Sequence, residues 1–222
     1  MKEGSAISTA LAHYGAALRQ AAAGHPIHLH LVDPTATRPP RRLALDEWCG
    51  AHRPGDGGLL ARCSGPTLDV GCGPGRLVAA LAAAGLPTLG VDISAEAVRQ
   101  ARRRGAPAQR TCVFTPIAGE GAWQHLMLAD GNIGIGGDPQ RLLRRCRELL
   151  APQGDILVEV DPPGTGSWRG QVALRHQDRT SHPFPWAAVD ADDLDTLARD
   201  TSLRILERWT EARRWFARMS PA

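Results

Sequence analysis

The chain has 222 residues with a formal net charge of +3, and 43% of its residues are apolar. This length and composition are typical of a globular domain with a full hydrophobic core, and they exclude a largely disordered chain. The arginines of residues 141–147 lie on the polar side of a predicted helix, and no aromatic residues alternate with them to form a stacking platform. We therefore expect no nucleic-acid partner.

The cysteines and the apolar segments indicate where the protein resides. Five cysteines occur without a CxxC spacing, and neither a secretory leader nor an apolar segment of membrane-spanning length is evident. Cys49, His52 and Cys63 do not complete a four-ligand pattern, so no metal site is expected. These features predict a protein of the reducing cytoplasm without a membrane partner.

Residues 1–58 are predicted to form a small N-terminal extension. Residues 5–23 are rich in alanine and predict a helix, and residues 27–32 (IHLHLV) alternate as a short strand should. A proline-rich connector at 35–40, a helix at 43–49 and a turn-rich break at 53–58 follow. The domain core is expected to occupy residues 59–222.

From residue 59 onward, short apolar strands alternate with amphipathic helices. The predicted strands are 67–70, 88–93, 111–114, 125–130 and 155–160, and the predicted helices are 75–84, 94–104 and 139–150. This alternation predicts an α/β fold in which a doubly wound, mostly parallel sheet carries helices on both faces. Beyond a helix at 190–200, two runs at 203–209 and 213–219 predict a C-terminal antiparallel hairpin.

The proline- and glycine-rich stretch at 161–189 follows the fifth core strand and is predicted to be a substrate loop. Its segment 181–186 (SHPFPW) is apolar and aromatic, so we expect it to cover the mouth of a pocket. His182 within this segment is a candidate general base, because histidine titrates near neutral pH.

A glycine loop joins the first core strand to the next helix, with the sequence LDVGCGPGR at residues 68–76. Open α/β sheets bind ligands at this position, where glycines let the backbone approach a ligand closely. A dinucleotide fingerprint, GxGxxG, would require a third glycine where Arg76 stands. Asp69 precedes the loop, and its carboxylate would repel a pyrophosphate but attract an ammonium group. The loop therefore favours S-adenosylmethionine, which carries an ammonium group and no phosphate.

A second acid, Asp92, ends the next strand within the sequence GVDIS at residues 90–94. An acid at this position of a Rossmann-type fold accepts hydrogen bonds from ribose hydroxyls. Ser94 is predicted to cap the following helix, with Glu96 in its first turn. Because Ser94 supplies the helix cap, Asp92 is not needed for it. We therefore predict that Asp92 binds the ribose.

Together, the glycine loop and the second-strand acid resemble those of the class I, Rossmann-like family of S-adenosylmethionine-dependent methyltransferases. The resemblance covers residues 59–219 and implies a seven-stranded sheet with an antiparallel last strand, S-adenosylmethionine as cofactor and S-adenosylhomocysteine as product. The implied cofactor contacts are Asp69, Gly71, Cys72, Gly73, Gly75, Arg76, Asp92 and Ile93. The family often has an acid after the third strand, but this chain reads TCVF there, so Cys112 and Val113 are expected to hold the adenine through backbone groups.

The loop at 129–139 lies at the same end of the predicted sheet as the glycine loop. The resemblance implies that it flanks the reactive methyl group, so Asp130 and Asn132 are the candidate catalytic residues beside it. Asp130 is also a candidate cofactor contact. The alternative is that both residues only hold the turn together. Glu159 and Asp161 are further candidate contacts for the acceptor.

Methyl transfer from a sulfonium is an in-line displacement, for which an enzyme mainly holds acceptor and methyl group together in a dry site. A hydroxyl or protonated amine would need a base, for which Asp130 and His182 are candidates, whereas a carboxylate or thiolate would not. We expect a small-molecule acceptor, because the chain lacks a basic groove and a separate protein-docking domain. Two alternatives stay open, which are non-methylating chemistry with the same cofactor and a sensing role. The sequence does not determine the methylated atom or the oligomeric state.

Overall fold

The structure is a computed structural model that describes the backbone of residues 2–222 and the side chains of residues 7–222. The described residues form seven α-helices, which are α1 (Lys2–Ala22), α2 (Leu45–Cys49), α3 (Asp56–Leu60), α4 (Arg76–Ala83), α5 (Ala95–Arg103), α6 (Pro139–Leu149) and α7 (Leu194–Asp200). They also form twelve strands, which are β1 (Leu29–Val32), β2 (Arg41–Arg42), β3 (Thr67–Val70), β4 (Thr88–Asp92), β5 (Ala108–Arg110), β6 (Trp123–Leu128), β7 (Leu150–Val160), β8 (Trp168–His176), β9 (Arg179–Thr180), β10 (Phe184–Ala188), β11 (Leu203–Glu211) and β12 (Arg214–Pro221). Two 3₁₀ segments occupy Asn132–Gly137 and Ala191–Asp193.

Seven of the strands form one sheet, called the main sheet, in the order β11-β12-β7-β6-β3-β4-β5. Neighbouring strands are parallel from β7 to β5, whereas β12 is antiparallel to both β7 and β11. The predicted Rossmann-like fold, a mostly parallel sheet of seven strands with an antiparallel C-terminal hairpin, is therefore confirmed.

Helices cover both faces of the main sheet, as the run of buried residues in β6 illustrates. Leu126 and Leu128 pack with Leu142 of α6 on one face, whereas Met127 packs with Leu77 of α4 on the other. Parallel strands buried on both faces have continuous apolar runs rather than alternating ones. The parallel arrangement brings the carboxyl ends of β3, β4, β6 and β7 to one edge of the sheet, where ligands bind in folds of this class.

A second sheet combines the N-terminal extension with the segment predicted to be a substrate loop. Its strand order is β10-β8-β1-β2 with β9 on β8, and all four residues of β1 pair antiparallel with β8. Helix α1 packs on this sheet through a buried cluster that includes Leu18, Leu29 and Leu174. The predicted loop over 161–189 therefore contains three strands, and residues 1–58 are not a separate appendage. The prediction failed because partners about 140 residues apart leave no local pattern.

Two local predictions also differ from the structure. The predicted strand at 111–114 is a turn, because Thr115 donates to the Cys112 carbonyl from its N–H at 3.0 Å and from its hydroxyl at 2.7 Å. The predicted break at 53–58 contains the start of α3, whose Asp56 is buried. None of the helices in residues 2–222 is both long and apolar enough to cross a membrane.

Candidate active site

The glycine loop, residues 71–75, connects β3 to α4 at the carboxyl edge of the main sheet. Gly71, Gly73 and Gly75 have φ angles of +78°, +52° and +81°, a region that favours glycine. A Cβ atom at Gly75 would lie 2.6 Å from the Cβ atom of Ala101 on α5. Glycine at position 75 therefore permits both the tight turn and the close packing of α5 on the loop.

Asp69 lies in β3 before the loop and is only 2% exposed. Its Oδ1 atom has no hydrogen-bond partner among the described residues. Burial raises the pKa of Asp69 to about 7, with Arg76 opposing the rise and the Asp130 and Asp92 carboxylates adding to it. A buried carboxylate oxygen without a partner is costly, and a bound cation would relieve this cost. The site therefore fits a ligand that carries an ammonium group.

Asp92 ends β4, and both of its carboxylate oxygens accept backbone hydrogen bonds. Oδ2 accepts from Gly73 N at 3.0 Å, and Oδ1 accepts from Ser94 N at 2.7 Å. Ser94 caps α5 by accepting from Ala97 N at 3.3 Å, as the sequence predicts. Asp92 thus supports the local backbone as well, which the sequence did not reveal. Each of its oxygens has a further lone pair for a ligand hydroxyl, and burial raises its pKa.

The residues predicted to hold an adenine differ in their exposure. Ile93 is 41% exposed, so its side chain is available to a flat ligand. Val113 is buried in the core, and its carbonyl accepts from Arg145 Nε at 2.9 Å. The Cys112 carbonyl accepts from Thr115. The carbonyls of Cys112 and Val113 thus already accept hydrogen bonds within the chain, and backbone contact with an adenine stays a prediction.

Tyr14 of α1 lies over the glycine loop, a position that sequence reasoning missed. Its hydroxyl oxygen is 3.3 Å from the point that a Cβ atom would take at Gly73. Burial raises the pKa of Tyr14 well above its usual value, and Asp92 and Cys72 add to the rise. The one available signal was that Tyr14 is the single tyrosine of the chain, in an alanine-rich helix.

Arginines and carboxylates form a network beside the glycine loop, called the arginine cluster, whose members are Arg53, Asp56, Arg76, Asp130, Glu159 and Arg214. Asp56 accepts from Arg76 Nε and Nη2, both at 2.8 Å, and from Arg214 Nη1 at 2.9 Å. Arg76 is itself buried, at 6% exposure. Its guanidinium, predicted to be a cofactor contact, is therefore engaged by carboxylates of the chain.

Asp130 follows β6, and its carboxylate is the point where the arginines of the cluster meet. Arg76 Nη1 donates to Oδ2 at 2.6 Å, and Arg53 Nη1 donates to Oδ1. Arg214 Nη2 lies 3.4 Å from Oδ1. The Asp130 N–H donates to Glu159 Oε2 at 2.6 Å. These contacts occupy the carboxylate of the predicted base and leave it little freedom to approach an acceptor.

The other two catalytic candidates differ in their surroundings. Asn132 Nδ2 donates to the carbonyls of Val70 and Gly71, both at 2.9 Å, and so holds the start of the glycine loop. His182 lies at an exposed turn before β10, where its N–H donates to Thr9 Oγ1 of α1 at 3.0 Å. Asn132 therefore holds the turn, and its role beside the methyl group stays a prediction. Segment 181–186 leads into β10.

A narrow cleft lies where the carboxyl ends of β6 and β7 meet the second sheet. It is lined by Arg41, Gly131, Ile133, Glu159, Val160, Asp161 and residues 187–189. In the part of the chain that the structure describes, no group of three or more His, Cys, Asp or Glu side chains is placed to hold a metal ion. The cleft adjoins Asp130 through Gly131 and has room for little more than a water molecule.

Residues 68–156 match the family model described as "Methyltransferase domain". The matched stretch begins in β3, contains the glycine loop and Asp92, and ends in β7. No curated protein matches the chain.

Solved structures with a similar fold include three methyltransferases. A SAM-dependent methyltransferase from Bacteroides fragilis, in complex with S-adenosyl-L-homocysteine, has a TM-score of 0.79 at 22% identity, with 96% of each chain covered. The CcbJ methyltransferase from Streptomyces caelestis has a TM-score of 0.61 at 19% identity, covering 80% of this chain and 94% of that one. The 1,6-didemethyltoxoflavin-N1-methyltransferase of Burkholderia thailandensis has a TM-score of 0.53 at 18% identity, covering 73% and 72%. At these identities the similarity establishes the fold.

Proposed function

We propose that the chain, which has the class I, Rossmann-like fold and matches the methyltransferase domain model over residues 68–156, transfers the methyl group of S-adenosylmethionine to a small molecule. The observation that carries the proposal is the buried Asp69 carboxylate, whose Oδ1 has no partner among the described residues. Asp69 lies two residues before Gly71, and its Oδ1 atom would accept a hydrogen bond from the ammonium group of the cofactor. A pyrophosphate at the same place would be repelled.

Each part of the cofactor has a complementary group on the chain. Asp69 would hold the ammonium group, and the Tyr14 hydroxyl beside Gly73 would donate to the carboxylate of the same amino-acid end. Asp92 would accept from the ribose hydroxyls, and the exposed Ile93 would pack on the adenine. When bound, S-adenosylmethionine supplies an electrophilic methyl group on a positively charged sulfur.

The chain contributes position and the exclusion of water. Helix α1 and the second sheet cover the carboxyl edge of the main sheet, and the arginine cluster ties the loop after β6 to β12 through Asp130 and Arg214. Within the cluster the carboxylates already accept from arginines, which favours an acceptor that needs no strong base. A general-base role for His182 stays a prediction.

A small-molecule acceptor is supported by one of the similar solved structures. That protein holds the small molecule 1,6-didemethyltoxoflavin together with S-adenosylhomocysteine. The narrow cleft beside the loop after β6 would have to widen to admit an acceptor of this size.

S-adenosylhomocysteine is expected to bind the purified protein, and NAD is not, because Asp69 and the engaged Arg76 leave no group for a pyrophosphate. Calorimetric titration of both ligands measures this preference. Incubation with methyl-labelled S-adenosylmethionine and a metabolite extract should then label a small molecule. Tight binding of NAD without binding of S-adenosylhomocysteine would overturn the proposal, and cofactor binding without any transfer would favour a sensing role.

The affinity for S-adenosylhomocysteine is expected to rise with pH up to about 7. Because burial raises the pKa of Asp69 to about 7, this group is mostly protonated near pH 6 and must lose its proton to bind an ammonium group. Affinity should therefore increase up to about tenfold per pH unit below 7, with one proton released on binding. Calorimetry in buffers of different ionisation enthalpy measures the proton release. Asp69→Asn should bind weakly and without this dependence, and equal wild-type affinities at pH 6 and 8 would contradict the assignment.

A further inference from the structure

Arg41 of β2 and Asp161, which follows β7, form an ion pair at the mouth of the narrow cleft. Arg41 Nη1 lies 3.0 Å from Asp161 Oδ1 and 3.2 Å from Oδ2. Arg41 Nη2 lies 3.9 Å from the point that a Cβ atom would take at Gly131, on the wall of the cleft. Within residues 7–222 the polar contacts of this guanidinium are made by Nη1 alone. Its remaining donors are therefore free for a ligand at the mouth of the cleft.

The other charged groups near the cleft are already saturated. Both oxygens of Glu159 accept from Arg214, at 2.9 and 2.8 Å, and one also accepts from Asp130 N. The Arg41 side chain is 52% exposed and that of Asp161 is 24% exposed. An exposed ion pair of this kind contributes little to stability, so a ligand can share or displace it at little cost. Arg41 is thus the positively charged residue of the cleft lining whose guanidinium has N–H donors not engaged by the chain.

We propose that Arg41 binds a carboxylate group of the methyl acceptor, and that Asp161 orients the guanidinium for this contact. The inference rests on the proposed function, which puts the acceptor beside the loop after β6, at the mouth of the cleft. A guanidinium presents paired N–H donors that match the geometry of a carboxylate. Asp161 lies beside Arg41 and would repel a dianion more strongly than a monoanion, which favours a carboxylate over a phosphate. The carboxylate is a recognition group, and the transferred methyl goes to another atom.

Arg42 provides a matched control, because it is the next residue of the same strand. Adjacent residues of a strand point to opposite faces of the sheet. In β1 the partner of Arg41 is the buried Leu31, whereas the partner of Arg42 is His30. Arg42 is 50% exposed and pairs with Asp46 at 3.1 Å, so the two arginines match in exposure and pairing. Replacing either one removes the same charge.

The test measures binding of amino acids and hydroxybenzoates, each compared with its primary amide, to protein saturated with S-adenosylhomocysteine. Ligand-observed NMR gives the affinities. We expect at least one acid to bind about 10- to 100-fold more tightly than its amide, Arg41→Gln to abolish this preference, and Arg42→Gln to retain it. Arg41→Lys should give an intermediate preference, because it keeps the charge but not the paired donors.

Three results would overturn the assignment of Arg41. These are equal binding of acids and amides, tighter binding of the amides than of the acids, and equal losses in the Arg41→Gln and Arg42→Gln variants. The affinity of Arg41→Gln for S-adenosylhomocysteine should equal that of the wild type. If the wild type itself does not bind S-adenosylhomocysteine, the proposed function fails, and the acid-over-amide comparison on the unliganded protein still decides the role of Arg41.

Discussion

Asp92→Ala is expected to weaken the binding of S-adenosylhomocysteine by roughly 10- to 1,000-fold. In the proposed contact the carboxylate accepts from two ribose hydroxyls, and each charge-assisted hydrogen bond contributes about 1.5 to 3 kcal/mol. The same carboxylate accepts from Gly73 N and Ser94 N, so its removal also loosens the loop beneath the ligand. The lower end of the range applies if a water molecule replaces the carboxylate. Isothermal titration calorimetry measures the loss.

Asp92→Asn separates charge from shape, because the amide oxygen accepts a hydrogen bond whereas the amide nitrogen does not. Its affinity should fall between those of the wild type and the alanine variant. Asp195→Ala is the control. Asp195 lies on α7 and forms an exposed ion pair with Arg208 of β11, so its replacement removes the same charge away from the site. A lower melting temperature with unchanged ligand affinity in both Asp92 variants would show that the acid only supports the backbone.

Asp56→Asn is expected to lower the free energy of unfolding by about 1.5 to 3 kcal/mol. Asp56 is 1% exposed and accepts from both Arg76 and Arg214. The neutral amide weakens the charge-assisted hydrogen bonds to these two buried guanidinium groups, while Arg76 keeps Asp130 and Arg214 keeps Glu159 as counter-charges. Denaturant unfolding of the cofactor-free protein measures the change.

Asp46→Asn is the matched control for Asp56, because Asp46 also lies at the start of a short helix but is 60% exposed. Its loss should cost less than about 1 kcal/mol. Burial alone would raise the pKa of Asp56, but the hydrogen bonds and charges of Arg76 and Arg214 lower it. Its contribution to stability is therefore present above the ordinary aspartate pKa of about 3.9 and is lost as the pH falls through the lowered value. Equal costs for the two variants at neutral pH would refute the central role of Asp56.

The main sheet and the glycine loop were predictable because their signals are local. Each parallel strand is a short apolar run, each helix has one apolar face, and the glycines mark a turn within a few residues of β3. The acid at the end of β4 has the same local character. Features of this kind are set by neighbouring residues, so a single sequence reveals them.

The arginine cluster and the second sheet were not predictable, because their partners are distant in the chain. From the sequence alone, Arg76 is one residue of a glycine loop, and nothing indicates that its guanidinium binds Asp56 together with Arg214. Asp130 likewise appears as an acid without a partner, because the arginines that bind it are distant in the chain. The strands within 161–189 contain prolines and glycines that are typical of loops. β8 is a strand because β1 supplies a partner, and β8 in turn pairs with β9 and β10.

The pairing of β1 with β8 also determines when the N-terminal part of the chain is protected during synthesis. At about 5 to 20 residues per second, the roughly 140 residues between the two strands take on the order of 10 s to make. Until then, β1 presents unpaired N–H and C=O groups, a template for association with other chains. Helix α1 precedes β1 in the chain and carries Leu18, which packs with Leu29 in the finished protein. We expect α1 to shield β1 from association with other chains until β8 is made.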